Sequence, residues 1–348
     1  MDGAVFQPAF IINRQHDYAW FLLLPFAAIL FALTAHQHLP GGALVAITLW
    51  ITVPHFLLTG LRVYGSSTNF ERWRERLIMG PIALIIAAFL LIKYAPLTLV
   101  LLVLLWDNQH SLMQQHGFAR IYDFKARAGA AGTKNFDLAF NWVFFGNMLI
   151  VSPLFSTIWI RTLYEWSIPI QVAQIELIQT LSWSIAGLYG LVYIGHNIWC
   201  VRNGYKLNPY KFFFLFSSYF LWYYTSFTSQ YIMVYAIAHR IMHGLQYIAI
   251  IYSFNRQTVV HGASDSSLLT DLAQPKNFKV FLLLCALSTL VWLALTEGSI
   301  AGLGFGLIGY GADTDLFSYS LVSSISMIHY YFDAFIWKVR QPETQKGL

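Results

Sequence analysis

The chain has 348 residues, of which 57% are hydrophobic and only 11% charged, with a formal net charge of +5. Soluble domains carry roughly 25% charged residues, and here the apolar residues fall in repeated blocks long enough to cross a hydrocarbon core, so the composition excludes a water-soluble fold. The positive charge lies mostly between those blocks, where it orients a chain against a bilayer, and it forms no nucleic-acid patch.

The N-terminus, Met1 to Asp17, is polar and runs directly into an apolar segment with no small-residue cleavage site behind it, so that segment is expected to remain as a helix. Apolar stretches then follow at 18–36, 41–62, 77–93, 96–119, 136–158, 178–201, 210–226, 230–253, 278–296 and 313–337. The run from Leu77 to Gln115 is broken only around Lys93, Tyr94, Ala95 and Pro96, and the run from Lys211 to Ser253 only between Thr225 and Gln230. At 1.5 Å per residue each is too long for one crossing, so each is split in two. The many Phe, Tyr and Trp residues fit a lipid-facing surface with interfacial aromatics. Cys200 and Cys285 both lie in or beside apolar segments, which leaves no disulfide framework and no cysteine metal cluster.

Charge gives the segments a direction. Basic residues follow every even segment: Arg62, Arg72, Arg74 and Arg76; Arg120, Lys125, Arg127 and Lys134; Arg202, Lys206 and Lys211; Arg256, Lys276 and Lys279; and Lys338, Arg340 and Lys346. The opposite side is poor in basic residues and carries His36 and His38, the Lys93 turn, Arg161 with Glu165 and Glu176, and Glu297 with Asp313 and Asp315. A positive-inside arrangement requires this pattern. The expected fold is therefore an all-α polytopic helical bundle, a single transmembrane domain over 1–348 with about ten crossings and both termini cytoplasmic. The expected location is a bacterial inner membrane or another membrane with a cytoplasmic face.

The histidines follow the same rhythm. His55 lies in the second segment, His110 and His116 in the fourth, His196 in the sixth, His239 and His243 in the eighth, and His329 in the tenth. Measured back from the basic ends, His55, His110, His196, His243 and His329 sit at depths of about 9–20 Å. Buried imidazoles are costly in hydrocarbon and usually face a bundle interior or a water-filled cavity. Five helices contributing at related depth point to one polar interior site.

Spacing adds a second layer. His239 and His243 are four residues apart, as are His329 and Asp333, so each pair shares a helix face and can converge on one ion or on adjacent ions. Gln246 and Tyr247 continue the His243 face, and Asp107, three before His110, can orient a ligating imidazole. His116 is turned about 120° from His110 and can face the cytoplasmic entrance instead. The candidate ligands are His239, His243, His329, Asp333, His110, His55 and His196, with Asp107, Gln246, Tyr247 and His116 as supporting or catalytic groups. A single intramembrane histidine can equally make a helix–helix hydrogen bond. His16, His36, His38 and His261 fall outside the segments or in loops and read as surface or interfacial residues.

Three further features have plainer readings. Gly302-Leu303-Gly304-Phe305-Gly306 with Gly309 and Gly311 follows no strand and ends in no Lys-Ser/Thr, so it reads as a loop rather than a phosphate cradle. The stretch Asn69 to Arg76 mixes Phe70 and Trp73 with charges and reads as a short interfacial helix or a cap on the second segment. Ala128 to Gly132, flanked by basic residues, reads as a loop.

Several imidazoles with one or two carboxylates suit iron, manganese or zinc, in one ion or two. With His239-Arg240-Ile241-Met242-His243 as its box, the layout resembles membrane-bound histidine-rich non-haem iron oxygenases and desaturases. That resemblance implies an oxidoreductase, for instance a monooxygenase of lipid metabolism, acting on a membrane lipid or other hydrophobic substrate with a cytoplasmic electron donor. The alternative is an intramembrane zinc hydrolase similar to lipid amidases of the ceramidase type, using His239, His243 and His329 with Asp333 or Asp107. A haem-bearing electron carrier and an ion or proton pathway remain as further alternatives.

Overall fold

The structure is a computed structural model that describes residues 5–229, 231–260, 268–296 and 312–336. The chain is all-helical, with no strand among the described residues. In order it forms α1 (Arg14–Asp17), a π-helical turn (Tyr18–Leu22), α2 (Leu24–His38), α3 (Gly41–Tyr64), α4 (Ser67–Tyr94), α5 (Pro96–Ala126) and α6 (Thr133–Val151). There follow α7 (Pro153–Glu165), α8 (Val172–Arg202), α9 (Pro209–Thr228), α10 (Ile232–Val260), α11 (Leu268–Leu272), a 3-10 turn (Pro275–Asn277), α12 (Phe278–Thr296) and α13 (Ala312–Ile336).

Local chemistry accounts for the boundaries. The split expected near Pro96 occurs there: α4 ends at Tyr94, Ala95 leaves helical geometry (φ −151°, ψ 62°), and Pro96 opens α5. Proline disfavours helix in the residue before it but is preorganised for a first turn. The second split falls at Ser229, whose extended backbone (φ −107°, ψ 127°) ends α9 before α10 begins at Ile232. Asn208 opens α9 by accepting the Tyr210 N–H, with Pro209 at the first helical position.

Elsewhere the helices are less regular than the hydropathy pattern. The fifth segment is two helices, because Pro153 cannot continue α6, and the Ser152 hydroxyl caps α7 instead. α6 and α7 meet at 71°. The first segment is bent by 43° between the π turn and α2. The stretch 69–76 lies at the start of α4, where a short helix joins the longer one across a kink at Trp73 (φ −120°, ψ 17°).

Among the described residues four helices are long and apolar enough to cross a membrane, α3, α4, α8 and α12 with the turn before it, or up to six if each bent pair is one span. The helices that carry His110, His243 and His329 are outside that group. In α5 the sequence Asp107-Asn108-Gln109-His110 lowers the mean hydropathy, so the polar interior that makes the helix informative also weakens its apolar signature.

The chain folds as two compact units, Met1–His38 with Leu112–Met242, and Leu39–Ser111 with His243–Leu348. In the second unit, Val63, Leu77, Phe332, Phe335 and Ile336 pack together near the C-terminal end of α13, while Ala88, Leu99 and Met327 pack further back along it. His329 lies between these two apolar clusters in sequence. Two glycines permit close helix approach: a Cβ at Gly80 would stand 2.5 Å from the Tyr331 ring, and one at Gly244 would stand 2.6 Å from Cγ2 of Ile51. α4 thus lies tight against α13, and α10 against α3.

The first unit closes around charge instead. Lys211 on α9, 1% exposed, reaches Asp123 on α5 at 2.9 Å and Asp137 on α6 at 3.2 Å. Arg120 Nη1 contacts the same two carboxylates at 2.6 and 2.7 Å, and the Tyr193 hydroxyl on α8 donates to Asp137 at 2.7 Å.

Candidate metal centre

Four helices of the second unit each bring one imidazole to a common point. His55 on α3, His110 on α5, His243 on α10 and His329 on α13 are all buried, and one potential ligand atom from each lies within 4.8 Å of the others. His55 Nε2 and His329 Nε2 are 2.7 Å apart, and His329 Nε2 is 3.2 Å from His110 Nε2. The rings crowd one another, with centroids 4.4 Å apart for His55 and His329 and 4.8 Å apart for His55 and His243.

Those separations have the size of a coordination shell. With metal–nitrogen distances of about 2.0–2.1 Å, neighbouring ligands on one ion stand about 2.9–3.4 Å apart and opposite ones about 4.1 Å apart. Bringing the widest pair, 4.8 Å, to the opposite-ligand distance requires a closure of about 0.7 Å.

An imidazole nitrogen offers either one N–H or one lone pair. His329 Nε2 faces two other ring nitrogens, and a cation at the centre would take one lone pair from each ring. The donor set therefore fits a metal ion, and its all-imidazole character suits zinc, copper, iron or nickel.

A second polar layer lies one helical turn further along three of the same helices. Thr59 follows His55 by four residues, Tyr247 follows His243 by four, and Asp333 follows His329 by four. The helical repeat places each pair on one face. The three side chains meet: Thr59 and Tyr247 hydroxyls are 2.6 Å apart, and each lies 3.2 Å from Asp333 Oδ1. Asp333 Oδ2 stands 3.8 Å from both His110 Nε2 and His329 Nε2. Arg62, three residues beyond Thr59, acts electrostatically on Asp333 and Tyr247 and lies over the Phe254 ring.

Of the seven ligand candidates, the structure groups His55, His110, His243 and His329, with Asp333 beside them. His239 and His196 have other partners. His239 Nδ1 accepts the Trp222 indole N–H at 2.9 Å, and its ring stacks on Tyr235 with an interplanar angle of 13°. The four-residue spacing put His239 on the His243 face, but the bond to Trp222 uses one of its nitrogens. His196 Nε2 lies 2.9 Å from Thr133 Oγ1 and 3.5 Å from Cys200 Sγ, and its ring stacks on Phe136.

Among the supporting candidates, Tyr247 joins the second layer, Gln246 is fully buried, and Asp107 and His116 are half-buried. His116 falls among the charges of Asp137, Arg120 and Lys211. His36 and His38 end α2 rather than lying in a loop, and His16 bonds Asn13 within the first turn. His261 and the glycine-rich stretch 302–311 lie outside the described residues. Thr59 and Arg62 were not singled out as site residues, although the offset of four from His55 to Thr59 is the same signal that marked the other pairs.

No family model, curated protein or solved structure matches this chain. The functional reading therefore rests on the geometry.

Proposed function

We propose that the protein is a membrane-embedded oxidoreductase built on one non-haem iron ion held by His55, His110, His243 and His329. The observation that carries this reading is the convergence of four buried imidazoles from four helices on a volume the size of one ion. In this reading the chain crosses the membrane about ten times with both termini cytoplasmic, and the ion lies in the cytoplasmic half. A membrane lipid or another hydrophobic substrate enters from the bilayer, and a cytoplasmic donor supplies electrons. Oxygenation and desaturation are the reaction types in view.

Coordination number separates the alternatives. Four imidazoles fill the tetrahedral shell of zinc, while catalytic zinc sites keep three protein ligands and an open position. Iron(II) with six positions retains room for an exogenous ligand beside four imidazoles. Manganese prefers a richer oxygen shell. A haem needs space between its axial ligands for the macrocycle, and four rings with centroids 4.4–6.2 Å apart around one point crowd that space. The compact group favours one ion over two.

Metal analysis of the purified full chain, with an absorption spectrum, tests the reading. The expected result is near one iron per chain with no Soret band, and reductant-dependent oxygen consumption stimulated by lipid. One zinc per chain with no iron would move the assignment to the hydrolase. A chain that neither holds nor rebinds any metal would remove the site.

A further inference from the structure

We infer that Asp333 is the fifth protein ligand of the ion, bound through Oδ2, and that Thr59 and Tyr247 are positioning residues that hold the carboxylate by its other oxygen. The inference rests on the four-histidine ion reading and deepens it. Oδ1 is occupied, because both hydroxyls lie 3.2 Å from it. Oδ2 is turned to the imidazoles and stands 3.8 Å from His110 Nε2 and from His329 Nε2. That separation lies between the neighbouring and opposite ligand distances of about 2.9 and 4.1 Å on a six-coordinate ion.

Charge argues in the same direction. Four neutral imidazoles leave a divalent ion uncompensated in a low-dielectric interior, where an isolated charge is expensive. Asp333 is 6% exposed and brings the missing anion to the ring nitrogens. Both halves of the arrangement follow from one helical offset. His55 with Thr59, His243 with Tyr247 and His329 with Asp333 are each four residues apart, so the helices that carry three of the imidazoles also build the oxygen layer above them. A shell of four nitrogens and one carboxylate oxygen leaves one position of six for an exogenous ligand, and the oxygen donor shifts preference toward iron or manganese and away from copper.

The test loads the full chain with cobalt(II) and reads its visible bands, which strengthen as coordination falls from six or five to four. Wild type should show the weak bands of the higher number. Asp333→Ala should show stronger bands, with affinity down by at least tenfold. Thr59→Val and Tyr247→Phe should keep one cobalt per chain but weaken binding by about 10–100-fold, as outer-sphere partners of metal ligands commonly do. Asp333→Asn keeps the side-chain shape and controls for folding, and its bands should fall between wild type and Asp333→Ala. Wild-type bands and affinity in both Asp333 variants would overturn the inference while leaving the ion in place. Failure of wild type to bind cobalt, or full binding by His55→Ala, would instead overturn the four-histidine reading.

Discussion

The two units each bury a cluster of polar side chains, and the clusters differ in the chemistry of their members. In the first unit Lys211 and Arg120 face Asp123 and Asp137, two cations against two anions, with short contacts throughout and a hydroxyl from Tyr193. That network is neutral and needs nothing further. In the second unit the imidazoles of His55, His110, His243 and His329 turn ring nitrogens toward one another. That convergence of ligand atoms could hold a metal ion. Burial alone therefore does not mark a functional site. The informative feature is a buried set of metal-ligating side chains whose ligand atoms converge on one point.

The sharpest way to break this comparison is to remove one imidazole. His55→Ala, His110→Ala, His243→Ala and His329→Ala should each abolish most metal occupancy, measured as metal per folded chain. Normal occupancy in all four would make the cluster a packing device like its counterpart in the first unit. Stability should respond in the opposite sense. Lys211→Met leaves two buried carboxylates sharing Arg120, which should lower stability by about 3–5 kcal/mol while metal per folded chain stays at the wild-type level. Denaturant unfolding in detergent, alongside metal analysis, separates the two readouts.

Smaller effects sharpen the boundary of each cluster. Gly244→Ala would press α10 against Ile51 on α3, at a cost of about 1–3 kcal/mol. Because His243 is the neighbouring residue, metal affinity should fall with it, and a loss of stability without any change in affinity would show that the site tolerates the displacement. Trp222→Phe removes the indole donor to His239 and opens space in the core, and should cost about 2–4 kcal/mol while the metal content stays intact. Loss of metal in that variant would put His239 back among the ligands. His36→Ala and His38→Ala, at the end of α2, should change neither quantity measurably.

The sequence by itself determined an all-helical chain with several helices long and apolar enough to span a membrane. Charge-poor apolar blocks require helices in a bilayer, because hydrocarbon leaves backbone groups no partner outside their own segment. Among the described residues each apolar segment lies largely on helix, the first and fifth being interrupted at Leu23 and Ser152, and Pro96 and Pro153 mark breaks for reasons any sequence carries. The bend at Pro153 was still missed, since the apolar run continues through it and hydropathy is blind to a missing N–H. Within the site, helical periodicity could rank residues by face but could not say what stands opposite that face. His239 and His243 share a spacing, yet Trp222, seventeen residues earlier in the chain, holds His239. His55 and His329 are 274 residues apart and come within 2.7 Å only through the packing of α3 and α13. Which imidazoles converge, and that Thr59 and Tyr247 meet on Asp333, was decided by tertiary structure, because coordination is a property of several helices at once and a sequence displays its helices one at a time.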